Sequence, residues 1–187
     1  MNLGRKKYFF SIAVVFIIVI FFGLGRALAY STTSPYKLVG GINSKTYYIG
    51  DPGGTWASSI RSGVSSWNSL SYANYSEKST SNQTLNYFVG AFGNTGWCGF
   101  TYYVDSDGSM INYGGYPNKN WYKNEVQLNT SMNYQVCSAS KKIVAMHEMG
   151  HSMGLKHSTN TGALMYDGYK TIDYPTTDDL NGIEALY

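Results

Sequence analysis

The chain has 187 residues, 43% hydrophobic and 16% aromatic, with 14 Lys+Arg against 11 Asp+Glu and two cysteines. That is enough chain for one domain with a proper core, too aromatic for disorder, and too poor in cysteine for a disulfide-stapled miniprotein. The formal charge of +3 invites a nucleic-acid or membrane-surface partner until one asks where the bases sit.

They sit at the front. Arg5, Lys6 and Lys7 precede an apolar run from Tyr8 to Leu24, followed by Ala27-Leu28-Ala29. A positive region, a hydrophobic region and a small-x-small cleavage site make a signal peptide over residues 1–29. An uncleaved membrane anchor is the competing reading, since the run is long enough to span a bilayer. Removing 29 of 187 residues leaves 158, and four of the fourteen bases go with them, so ten bases face eleven acids and the net charge becomes −1. The nucleic-acid reading falls with the basic patch. Residues 30–187 are expected to form a single secreted, extracellular domain. Export to an oxidising compartment makes Cys98 and Cys137 a candidate disulfide, with two buried free thiols as the alternative. The N-x-[ST] triplets at Asn74, Asn82 and Asn129 read as coincidence in so Asn- and Ser-rich a chain.

Along this domain, Thr46–Ile49 reads as a short strand and 50–54 as a turn. Trp56, Ile60, Val64, Trp67 and Leu70 then recur at helical spacing, with Thr55 a candidate N-cap. Strands are expected at Thr84–Val89, Phe100–Val104, Met110–Tyr113 and Glu125–Leu128, with a turn at Asp105–Gly108 and a surface loop between Gly114 and Lys123. A second helix starts near Ser138 or Ser140 and runs to about Met153. A third follows Thr176 or Thr177, with Leu180, Ile183 and Leu186 on one face and Asp178 and Asp179 in its first turn. The order implies an α+β domain with helices flanking one sheet.

All three histidines fall in one eleven-residue window, His147-Glu148-Met149-Gly150-His151-Ser152-Met153-Gly154-Leu155-Lys156-His157. His147 and His151, four apart on the helix, share a face and can grip one Zn²⁺. Glu148, about 100° around the axis, reaches water on the metal without ligating it. Gly154 stops the helix and lets the chain turn sharply, bringing in His157 as third ligand and leaving the fourth position open, as hydrolysis requires.

This extended motif resembles the signature of the metzincin zinc endopeptidases, and among them the sequence is most similar to the matrixins: Ala163-Leu164-Met165-Tyr166, then Tyr169, then Asp178–Tyr187 follow their pattern. The resemblance is specific from about Val144 to Tyr187. It implies a metzincin-like zincin, a mixed twisted sheet with an active-site helix, a Met-turn and a C-terminal helix. One catalytic zinc would sit on His147, His151 and His157, Glu148 would be general base and then general acid, and Met165 would support the site by packing. The resemblance further points to Phe100–Val104 as the strand edge that pairs with substrate, and to Tyr166 and Tyr169 for the pocket receiving the side chain after the cut. The implied partner is a protein or peptide substrate met by a monomer, with no nucleic acid and, after signal cleavage, no membrane.

The departures are equally specific. No cysteine lies in a matrixin-type propeptide motif, and no histidine remains for the family's structural zinc. Asp51, Asp105 and Asp107 are the candidates for the family's structural calcium, although Asp105-Ser106-Asp107-Gly108 is not an EF-hand loop and reads as a plain turn. Asp167 replaces the matrixin proline after Met-Tyr. The rival from another class is a non-catalytic exported zinc-containing binding module, suggested by seventeen tyrosines after residue 29. Its closed metal site would have no use for Glu148.

Overall fold

A computed structural model describes residues 29–111 and 115–187. The signal peptide expected over 1–29 lies almost wholly outside the described residues, as do 112–113 of the strand expected at Met110–Tyr113. No described helix is long and apolar enough to cross a membrane.

The elements run β1 (Ser31–Thr32), β2 (Lys45–Gly50), α1 (Ala57–Asn68), β3 (Tyr75–Lys78), β4 (Leu85–Gly90), β5 (Gly99–Val104), β6 (Met110–Ile111), β7 (Lys123–Asn129), a 3₁₀ turn at Tyr134–Val136, α2 (Lys141–Ser152), β8 (Leu155–Lys156) and α3 (Thr177–Leu186). Six strands form one mixed sheet in the order β3-β2-β4-β7-β5-β6. The first four are parallel, whereas β5 runs antiparallel to both β7 and β6. β1 and β8 make a separate two-stranded ladder. This is the α+β architecture implied by the order of elements.

Apolar residues of α1 (Ile60, Val64, Trp67) and α2 (Ile143, Met146, Met149) are buried together with sheet residues Leu85, Tyr87, Val126 and Leu128. Polar tips within this core are satisfied at long range. Trp67 Nε1 donates to Met146 O (3.0 Å), Tyr87 Oη to Ala145 O (3.1 Å) and Tyr103 Oη to His151 O (3.1 Å). A buried hydroxyl or indole costs stability unless partnered, so the two tyrosine bonds also fix the height of α2 over the sheet, and the Trp67 bond ties α1 to α2.

One local expectation needs correction. Thr55 does not cap α1: the capping position is Trp56, and Asp51 Oδ2 accepts from the backbone N–H groups of Trp56 (2.6 Å) and Ala57 (2.9 Å). The cap comes from five residues upstream because the turn after β2 folds back on the helix start. The segment before α2 contains the 3₁₀ turn, capped by Asn133. Ser140 then caps α2, its side chain accepting from Ile143 N.

Candidate metal centre

His147 and His151 lie one turn apart on α2, 5% and 8% exposed. The helix ends at Met153, and Gly154 (φ +96°) reverses the chain. A Cβ there would stand 2.8 Å from Leu186 Cδ1 and 2.9 Å from Thr33 Oγ1, so glycine is required by both conformation and space. The reversal carries His157 back over the helix. The ring nitrogens or carboxylate oxygens of no other three His, Cys, Asp or Glu among the described residues come together, whereas one nitrogen from each of these histidines lies within 4.8 Å of the others.

What orients each ring decides whether it can ligate. A carbonyl oxygen can only accept, so His147 Nδ1–H donates to Leu164 O (2.9 Å) and His151 Nδ1–H to Leu155 O (2.7 Å). His157 Nδ1 faces Asp167 Oδ1 at 3.1 Å. All three Nδ1 atoms are thereby occupied and the Nε2 lone pairs are left for a metal. The Nε2 atoms of His151 and His157 are 3.2 Å apart. Tetrahedral Zn²⁺ with N ligands at 2.0–2.1 Å separates neighbouring donors by about 3.3 Å, so the residues present fit zinc. Burial disfavours the charged form of all three imidazoles: it pushes His147 well below its usual value, His151 down to about 3, and lowers His157 against the opposing charge of Asp167.

Glu148, 5% exposed, points from α2 towards β5. Thr101 Oγ1 lies 2.7 Å from its Oε2 and 3.0 Å from its carbonyl oxygen. Burial raises the carboxyl to about 7, opposed by the Thr101 hydrogen bond and the charge of Lys170. A carboxyl poised near neutrality is suited to taking and returning a proton.

These groups open onto one cleft of about 580 Å³. One wall is Trp97–Thr101 with Tyr103; the other is Val136–Ser138, Val144 and the segment Asp167–Lys170. The disulfide between Cys98 and Cys137 joins the two walls, separated by 39 residues in sequence. At the cleft's rim, β6 pairs with Tyr103 and Val104, and among the described residues no strand pairs with the outer edge of Gly99–Thr101. Of the strand edge expected at Phe100–Val104, the Tyr103–Val104 end is therefore covered by β6.

Met165, 1% exposed, lies with its sulfur packed against Gly150, between the two helical histidines. Asp179, 1% exposed, holds this turn from α3: its carboxylate accepts from Leu164 N (3.1 Å), Met165 N (3.0 Å), Thr176 N (2.7 Å) and Thr176 Oγ1 (2.7 Å). Sequence reasoning gave Asp179 only a helix-dipole role; its position three residues after a capping Thr was the available signal for more.

Of the two pocket candidates, Tyr169 lines the cleft and Tyr166 does not; the ring of Tyr166 lies on Gly168. Lys170 is a lining residue the sequence did not single out for the cleft. The calcium candidates are spent elsewhere. Asp105 accepts from Ser106 N (2.6 Å) and pairs with Lys119, Asp107 accepts from Ser109 N (2.9 Å), and Asp51 caps α1. Asp51 Oδ1 is buried without a hydrogen-bond partner, but one such oxygen is far short of the six to eight a calcium ion takes.

Comparison with known proteins places the same residues in context. The family model described as Matrixin matches residues 52–187. The chain is 54% identical over 50 residues to stromelysin-1 of Equus caballus, 46% over 67 residues to neutrophil collagenase of Homo sapiens, and 59% over 46 residues to interstitial collagenase of Equus caballus. These stretches cover 24%, 34% and 24% of this chain, and only 10%, 13% and 10% of those proteins.

Proposed function

Because the chain belongs to the matrixin family, we propose that it is a secreted zinc-dependent endopeptidase, residues 1–29 serving as signal peptide and 30–187 as one catalytic domain. The observation that carries this reading is the convergence of three Nε2 atoms beside a buried, threonine-held carboxyl in an open cleft.

His147, His151 and His157 hold the ion. Zinc, when bound there, lowers the pKa of water at the open position towards about 7 and polarises the scissile carbonyl. Everything else falls to the chain. An extended substrate lies along the edge of Gly99–Thr101, its backbone completing the sheet while its side chains alternate between the cleft and solvent. Thr101 fixes Glu148 Oε2, which leaves Oε1 to take the proton from the attacking water. The protonated carboxyl, still within the same hydrogen bond, then returns that proton to the leaving amine. Met165 and the Asp179-held turn keep the floor of the site from shifting as these groups act. Tyr169, Val144 and Lys170 surround the recess that receives the side chain after the cut.

Glu148→Gln should keep about one zinc per chain while losing cleavage of a casein-type substrate. Full residual activity would sink the role given to Glu148. Activity lost together with the zinc would point to a ligand or scaffold role instead.

A further inference from the structure

Lys170 stands out in the cleft. Among the described residues it is the sole Lys or Arg lining it, and it is half-buried. Its position is fixed by backbone: Lys170 N–H donates to Cys137 O (3.2 Å), and Lys170 O accepts from Ala139 N–H (2.9 Å). Its ammonium donates to Gly168 O at 3.0 Å. Among the described residues no carboxylate lies within 4.0 Å of that ammonium. The two acids of the cleft are engaged elsewhere, Glu148 with Thr101 and Asp167 with His157. A lysine with three donors, one carbonyl acceptor and limited access to water retains capacity for an anionic partner. The same cleft is lined by Val144, Val136 and Tyr169, which suit the methylenes of an entering side chain.

We propose that Lys170 makes this protein select substrates with an acidic side chain, glutamate above all, directly after the scissile bond. The inference rests on the endopeptidase reading and on the recess beside Val144 being where that side chain enters. A glutamate there would place its two methylenes against Val144 and Tyr169 and its carboxylate on the Lys170 ammonium. The isosteric amide fills the same space without the charge. Because an ion pair in a partly dry recess is stronger than one in open water, the difference is felt in binding the reacting substrate. Lys170 is thus a specificity residue that itself neither takes nor gives the transferred proton, and its charge acts on Glu148 alike for both substrates, so the Glu-to-Gln ratio is free of that effect.

The test uses the zinc-loaded wild-type protein and peptides identical except at the position after the cut. The expected kcat/KM is about tenfold or more in favour of Glu over Gln. Lys170→Met, which keeps an apolar stem, should abolish that ratio; Lys170→Glu should favour Lys over Glu; Lys170→Arg should keep the acidic preference. Equal rates for Glu and Gln in the wild type, or a ratio unchanged in Lys170→Met, would overturn the proposal. The endopeptidase reading fails separately, if the wild type cuts no peptide of a mixed library.

Discussion

Gly99 and Glu148 are in contact in a way that only glycine permits: a Cβ on residue 99 would sit 2.6 Å from Glu148 Cγ and 2.7 Å from its Oε1. The start of β5 thus presses its bare backbone against the carboxyl proposed to move the proton. Gly99→Ala should push Glu148 off Thr101 and lower kcat by about 10²-fold, the scale of a lost general base. Zinc content, read by atomic absorption, should stay near one per chain. A fully active Gly99→Ala protein would mean that Glu148 tolerates displacement.

Asp167 is 74% exposed, yet it is the group that faces His157 Nδ1. Partners behind a metal-bound histidine typically carry about 10–100-fold in affinity. Asp167→Ala should therefore weaken zinc binding by about tenfold in competition with a chromophoric chelator. Identical competition curves would show that the Asp167 contact does not orient the ring.

Neighbouring acids at the start of α3 should differ in consequence. Asp179 is buried and accepts four hydrogen bonds, whereas Asp178 accepts one from Ser158 Oγ (2.6 Å). Asp179→Asn would set an amide donor against backbone donors and should cost about 3 kcal/mol in urea unfolding. Asp178→Asn should cost about 1 kcal/mol. Equal losses would refute the view that Asp179 holds the Met-turn.

The Glu148 carboxyl also has a stability signature once metal is removed. Its folded-state pKa of about 7 lies above the unfolded value of about 4.5 because burial disfavours the charge. The folded protein holds this proton more tightly, so stability is lost as pH rises from about 4.5 through 7. With chelator present, Glu148→Gln should be more stable than wild type at pH 8 by up to about 3 kcal/mol and near-equal at pH 4.5. The histidines are common to both proteins and cancel. A difference that does not grow with pH would mean that the carboxyl is well hydrated.

How much of this was legible in sequence depends on range. The spacing of His147, His151 and His157 is local, and the helix and the turn at Gly154 deliver what that spacing implies. The partners that tune these groups are remote: Thr101 is 47 residues from Glu148, and Cys98 is 39 from Cys137. They meet because β5 runs antiparallel between β7 and β6 in the sheet, an order that periodicity does not encode. β3 was missed because three of its four residues, Ser76–Lys78, are exposed and polar. Tyr166 was placed in the cleft by pattern, but the backbone turns at Gly168 and gives its wall to Asp167, Tyr169 and Lys170.

The anchors behind the three histidines are of two kinds. Carbonyls of Leu164 and Leu155 hold His147 and His151, and no change of side chain at those positions deletes a carbonyl. His157 is steadied by a carboxylate, which one codon change removes. The grip on the ion is therefore heritable in unequal parts. Two ligands are placed by the path of the chain, while the third can be tightened or slackened by a single substitution that leaves the ligand set untouched.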